Sequence, residues 1–249
     1  MHFPLRATFL ALLLAAPLTA RAADPAFTPA QRAEIVSIVH DAMKSDPSIL
    51  RDAIKALQAD EDARADAEAQ LAITQHHDEI FNNPADAQAG NPHGDVTVVE
   101  FYDPRCPYCR KMLPGIDAML DKDHGIRLVY KDIPVLGAGS MLESRAIVAA
   151  QQQGGYMKMQ QALMSNPAQS SNELIHDTAK SIGLDPAKLA KAMNSDAVTK
   201  RIVANLDLSH ALKVTGTPTF VVGTQIIPGM VDASQLEMAV ADARKHAEK

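Results

Sequence analysis

The stretch Val96-Thr97-Val98-Val99-Glu100-Phe101-Tyr102-Asp103-Pro104-Arg105-Cys106-Pro107-Tyr108-Cys109 passes from a β-branched and aromatic run into a pair of cysteines two residues apart. Val96 to Tyr102 has the composition of a short central strand buried on both faces. Asp103-Pro104-Arg105 ends it, and Pro107 suits the first position of a helix. Cys106 then falls at a helix N-terminus, where unpaired N–H groups and the positive end of the macrodipole favour a thiolate. Its pKa is expected below the ordinary value of about 8.5, making it the attacking sulfur. Cys109 lies one turn further on, more covered, as suits a resolving thiol. Arg105 is either an added positive charge beside Cys106 or an exposed surface arginine.

The helix predicted from Pro107 to Leu120 carries Met112, Leu113, Ile116, Met119 and Leu120 inward, with a kink expected at Pro114. A strand is expected from Ile126 to Val135. Residues 139–212 read as a helical insertion punctuated by Gly154-Gly155, Asn166-Pro167, Gly183 and Asp185-Pro186. Thr217 to Gly223 returns to strand character, Gln225 to Pro228 pairs back, and Ser234 to Ala247 closes as a helix. The core order is strand, helix, strand, insertion, hairpin, helix.

Upstream, Thr28-Pro29-Ala30-Gln31 signals a helix start with a capping box, and Asp46-Pro47 signals a second. The charged, Ala-rich run to about Gln75 is strongly helical but too poor in apolar surface for its own core. Self-association is the favoured use of residues 23–83, against docking on the main domain or a solvated arm. The turn-rich stretch Glu79 to Asn91 is read as the boundary, with the second domain over residues 84–249. Met1 to Ala22 has the basic start, apolar run and small-residue cut of a signal peptide, leaving roughly 225 residues for the mature chain.

The chain has two cysteines, both in this pair, so it is no disulfide scaffold; a pair closing so short a loop constrains the unfolded chain little and serves chemistry. A net charge of −6 without a basic run argues against nucleic acid as a partner. No cofactor beyond a redox-active Cys106–Cys109 disulfide is expected. No metal site is expected either, since zinc or Cu(I) wants further soft ligands; Cu(I) at Cys106 and Cys109 is the reading from outside the redox class.

The stretch Val98 to Cys109, followed over a hundred residues later by Gly216-Thr217-Pro218-Thr219-Phe220, resembles the DsbA-like thioredoxin family with its helical insertion. The resemblance covers about Glu79 to the C-terminus. It implies an α/β thioredoxin fold with a helical insertion, preceded by an N-terminal helical extension, in a thiol–disulfide oxidoreductase of the periplasm. Pro218 would be the cis-proline facing the disulfide, and Thr217 would offer a backbone edge to an extended substrate. Glu100 matches the family's buried acid, which could relay a proton for Cys109, although alternation alone leaves its direction open. Pro107 and Tyr108 would tune the redox potential.

Ile35-Val36 and Ser45-Asp46-Pro47-Ser48-Ile49-Leu50 resemble the extension of ScsC-like proteins, linked to suppression of copper sensitivity. That implies a homo-oligomer through the N-terminal helices, trimer before dimer. Cys-Pro-Tyr-Cys and a threonine before the proline are similar to DsbG-like and DsbC-like isomerases. The expected activity is therefore disulfide isomerase or reductase on unfolded or wrongly paired exported proteins, reset by a membrane reductase of the DsbD or ScsB kind. A dithiol oxidase and a Cu(I)-binding protective protein are the alternatives.

Overall fold

The structure, a computed structural model, describes residues 27–247. The expected signal peptide, Met1 to Ala22, lies outside them. The chain divides into two compact units that meet at Ala59 and Asp60.

The first unit contains α1 (Pro29–Ser45) and the start of α2 (Ser48–Gln75). Thr28 caps α1 with the capping box anticipated from the sequence: its hydroxyl accepts from Gln31 N–H while Gln31 Oε1 accepts from Thr28 N–H at 2.9 Å. Asp46 accepts from Ser48 N–H at 3.0 Å and so marks the start of α2. No side chain of residues 27–59 is buried, and Ile35, Val36, Ile38, Val39, Ile49, Leu50, Ile54 and Leu57 are exposed.

The second unit takes the rest of α2, then α3 (His77–Phe81), β1 (Ala87–Gly90), β2 (Val96–Tyr102), α4 (Pro107–Lys122) and β3 (Ile126–Asp132). The insertion follows as α5 (Ala138–Ala150), a 3-10 turn (Gln151–Gln153), α6 (Tyr156–Met164), α7 (Asn172–Ser181), α8 (Pro186–Met193) and α9 (Asp196–Ala211). The hairpin β4 (Thr219–Val222) and β5 (Gln225–Pro228), with α10 (Ala233–Ala247), completes it. The sheet order is β1-β3-β2-β4-β5, with β2 and β3 parallel and the other neighbours antiparallel.

Two expectations need correction. Residues 79–91 are not only a turn-rich boundary. Ile80 and Phe81 of α3 are buried under the sheet, and Ala87 to Gly90 pair with Arg127 to Tyr130 as an edge strand. Short and bounded by turn residues, β1 lacks the β-branched run that would announce it. The division at Ala59 and Asp60 is likewise upstream of the boundary read near residue 83, because Ile73 of α2 is already buried in the second unit. Gly94 serves the turn into β2: a Cβ there would lie 2.4 Å from the Gly125 carbonyl oxygen.

The sheet has apolar layers on both faces, as the uninterrupted run of β2 requires. On one side Val98, Leu128, Phe220 and Val222 meet Met112, Ile116 and Met119 of α4, the insertion, and Leu236 and Val240 of α10. On the other, Val99, Phe101, Val129 and Val221 meet Ile73, Ile80, Phe81 and the end of α9 through Leu208 and Leu212. Each such buried side chain contributes about 1.5–3 kcal/mol. Helix α4 runs on through Pro114, and its buried residues are Cys109, Met112, Ile116 and Met119, with Leu113 and Leu120 half-buried.

Candidate active site

Strand β2 delivers Cys106 to the N-cap of α4 in extended backbone, φ −66° and ψ 122°, with Pro107 at the first helical position. Both cysteines are free thiols; Cys106 is 4% exposed and Cys109 fully buried. The Cys106 S–H donates to the Thr217 carbonyl at 3.2 Å. The next peptide bond, Thr217–Pro218, is cis. Two hydrogen bonds fasten this loop: Thr219 Oγ1 donates to the Gly216 carbonyl and Gly229 N–H to the Pro218 carbonyl, each at 2.8 Å. The two sequence motifs, over a hundred residues apart, thus meet at one sulfur.

Asp103 holds the cysteine loop from beneath. Its carboxylate accepts from Arg105 N–H at 2.7 Å and from Val135 and Leu136 N–H at 2.8 and 3.0 Å. Those bonds bring two apolar side chains beside the loop; Leu136, like Tyr108, is 56% exposed. Arg105 is neither a free surface arginine nor the only cation here. Its guanidinium donates to Glu143 Oε1 at 3.2 Å and to the Ala168 carbonyl at 2.8 Å, both in the insertion. Arg110 binds the Pro104 and Asn166 carbonyls at 2.7 and 2.8 Å and Glu143 Oε2 at 3.4 Å. Glu143, fully buried, also accepts from Ser170 Oγ at 2.5 Å.

Glu100 is buried in β2, opposite Tyr130 in the parallel register and Phe220 in the antiparallel one. Alternation sets it on the face covered by α4, with Tyr102 and Tyr130. Its Oε2 has no hydrogen-bond partner in the protein. Burial pushes its carboxyl up to about 8, and the charge of Asp132 adds to the rise. Burial also pushes the Cys109 thiol far above the ordinary thiol range, with the charge of Glu100 second. Two buried groups that resist ionisation, the Cys109 thiol and the Glu100 carboxyl, thus lie within each other's electrostatic reach.

Tyr102, Asp132 and Tyr156 carry no signal at the level of motifs, yet they form a buried polar knot beside Glu100. Tyr102 and Tyr156 hydroxyls each lie 2.7 Å from an Asp132 oxygen and 2.9 Å from each other. The available signal is the pair Lys131-Asp132, charged residues that close a strand whose middle, Leu128 to Tyr130, is apolar and aromatic. Among the described residues no group of three or more His, Cys, Asp or Glu side chains could hold a metal ion.

A family model described as DSBA-like thioredoxin domain matches residues 97–241, and one described as Copper resistance protein ScsC N-terminal domain matches residues 31–64. A thioredoxin-like oxidoreductase from Silicibacter pomeroyi is 42% identical, with a TM-score of 0.66, covering 68% of this chain and 97% of its own. ScsC from Proteus mirabilis, in a transitional conformation, is 30% identical with a TM-score of 0.64, covering 89% of this chain and 98% of its own. The thiol:disulfide interchange protein DsbA of Burkholderia cepacia is 28% identical over 150 residues, 58% of this chain and 69% of its own length. The chain spans only 24% of the length of another curated relative, the Na(+)/H(+) antiporter NhaA 3 of Salinispora tropica, at 26% identity over 156 residues.

Proposed function

The chain belongs to the family of DSBA-like thioredoxin domains, and from that premise we propose that it is a periplasmic thiol–disulfide oxidoreductase, working as an isomerase or reductase on exported proteins. One observation carries the reading: the Cys106 sulfur faces the Thr217 carbonyl beside cis-Pro218 while Cys109 is sealed beneath it, over Glu100. The Cys106 thiolate attacks a client disulfide, and the displaced client sulfur leaves as a thiolate. Cys109 gives its proton to Glu100 and attacks Cys106 Sγ, which closes the Cys106–Cys109 disulfide and frees the second client sulfur. A rearranging client thiol can make that second attack instead, which is isomerisation. A membrane thiol reductase of the DsbD or ScsB kind returns the pair to the dithiol. Exposed Tyr108, Val135 and Leu136 give an unfolded client apolar surface beside the sulfur.

The helices of residues 27–59 serve as an oligomerisation module, with a trimer favoured. Their exposed Ile, Val and Leu side chains support this, as does the match to the ScsC N-terminal domain. Several active sites around one client raise their effective concentration. The same match supports a link to copper tolerance; no step of the exchange reaction runs through copper. In the described residues no helix is long and apolar enough to cross a membrane.

A Cys109→Ser variant should accumulate mixed disulfides with client proteins, and reactivation of a scrambled-disulfide substrate should need the reduced protein and vanish in Cys106→Ser. Undiminished reactivation by Cys106→Ser would sink the exchange mechanism. A protein that oxidises reduced clients but never reactivates scrambled ones would be a dithiol oxidase.

A further inference from the structure

Glu100 shares its side of the sheet with a second carboxyl. Parallel pairing sets Glu100 opposite Tyr130 and Tyr102 opposite Asp132, so these four side chains form a block on the face that α4 and the insertion cover. Glu100 and Asp132 stand diagonally across that block. Asp132 is fully buried, and both its oxygens are held: Oδ1 by the Tyr102 hydroxyl and Oδ2 by the Tyr156 hydroxyl of α6, each at 2.7 Å.

The count of protons in this triangle matters. Three oxygen contacts, at 2.7, 2.7 and 2.9 Å, are served by two phenolic hydrogens. All three become hydrogen bonds only when Asp132 supplies a third proton, each group then donating once around the ring. Burial, which holds Asp132 above the usual carboxylate range, favours that neutral form. The ionised form has support as well: both phenols then donate to it, and the Arg201 guanidinium of α9 lies 5.6 Å from the Tyr156 ring. Asp132 is thus built to exist with and without its proton, and a like charge so close to Glu100 cannot be neutral in effect.

The other groups around Glu100 offer no such control. From α4, Cys109 feels its charge, with Asp117 acting on Tyr130; from β3 comes Tyr130, and from α6 the Tyr156 hydroxyl beside Tyr102. Strand β4 contributes Phe220 at the paired position. The Lys131–Asp86 ion pair lies on the opposite face, where Lys131 also donates to the Glu79 carbonyl at 2.5 Å. We propose that Asp132, held by Tyr102 and Tyr156, is a positioning residue for the exchange reaction: its charge governs when Glu100 is free to accept the Cys109 proton. Asp132 itself exchanges nothing with the client. The proton passes from Cys109 to Glu100, the Cys106–client bond breaks, the Cys106–Cys109 bond forms, and the client sulfur leaves with the electron pair. The proposal rests on the role given to Glu100 above.

The test follows the reduced full-length protein with dithiobis(nitrobenzoate) in a stopped-flow instrument across pH. The first thionitrobenzoate is released by Cys106 and the second by Cys109, so the two sulfurs are read separately. The second release should rise with pH through an inflection near that of Glu100, and Glu100→Gln should remove the inflection. Asp132→Asn takes away the competing charge, so its inflection should move to lower pH. Its second release at pH 7 should quicken on the order of threefold to tenfold, with the first release unaltered. Tyr156→Phe leaves Asp132 one donor short and harder to ionise, and should shift the inflection in the same direction by less; it decides the matter if Asp132→Asn does not fold. Wild-type inflections in both variants, with the inflection lost in Glu100→Gln, would overturn the role of Asp132 and leave Glu100 standing. An inflection that survives Glu100→Gln would remove the role of Glu100, and that of Asp132 with it.

Discussion

The two faces of the central sheet bury charge in opposite ways. On the face toward α3, Lys131 is fully buried and paired with Asp86, itself buried, with Arg201 4.0 Å from the second Asp86 oxygen. Burial raises Asp86 and lowers Lys131, and their mutual attraction offsets that cost. On the face toward α4, Glu100 and Asp132 ionise to the same sign and burial raises both, the nearby Arg201, which serves both faces, partly offsetting the rise at Asp132. Opposite charges in a low-dielectric interior make a fixed joint; like charges make a group that keeps its proton into the neutral range. The first face reads as a structural joint for that reason, and the second holds the carboxyl to which the proposed exchange assigns the proton.

Breaking the joint should produce the largest stability effect. Lys131→Met leaves Asp86 buried without its closest cation and should cost about 3–5 kcal/mol in denaturant unfolding. The pH profile of the second thiol release in a still-folded sample should be unchanged. A loss below about 1 kcal/mol would show that Arg201 alone can hold Asp86 and that the two faces differ less than their geometry implies.

The opposite sign is expected at Glu100. Its carboxyl binds its proton more tightly folded than unfolded, so the native state loses stability as pH rises from about 4.5 to about 8. Glu100→Gln should therefore stabilise the reduced protein by up to about 3 kcal/mol at pH 7, and the gain should disappear below pH 4. A destabilised variant at pH 7 would mean that Glu100 is paired rather than frustrated. The smallest effect is reserved for a pair on neither face. Lys122 donates to Glu237 at 2.9 Å with its side chain 70% exposed, and Lys122→Ala should change stability by less than about 1 kcal/mol, the loss shrinking in high salt.

What could be read in advance follows the range of the interaction. The capping box at Thr28, the strand Val96 to Tyr102, the cysteine at a helix start and the hairpin at Thr219 to Pro228 are each specified within a few neighbouring residues, and each lies where its pattern says. The pairing of Cys106 with the loop at Thr217 was readable only because both ends have distinctive motifs. Asp86 and Lys131, Tyr102 and Asp132, and Arg105 and Glu143 meet across 45, 30 and 38 residues, and apart from the charged pair Lys131-Asp132 at a strand end no local pattern marks them. The direction of Glu100 depended on pairing with β3 and β4, and strand β1 depended on a partner its own four residues do not name.

The clasp of Arg105 and Arg110 on Glu143 has a mechanical consequence. These arginines flank Cys106 and tie Pro104, Asn166 and Ala168 together, so the cysteine loop is stitched to the insertion on both sides of the sulfur. In the proposed exchange, a client tethered to Cys106 would pull on the whole insertion rather than on one turn of helix. Thermal tugging by a long unfolded chain would then be spread over the many contacts that Glu143, Asn166 and Ala168 make with the two arginines.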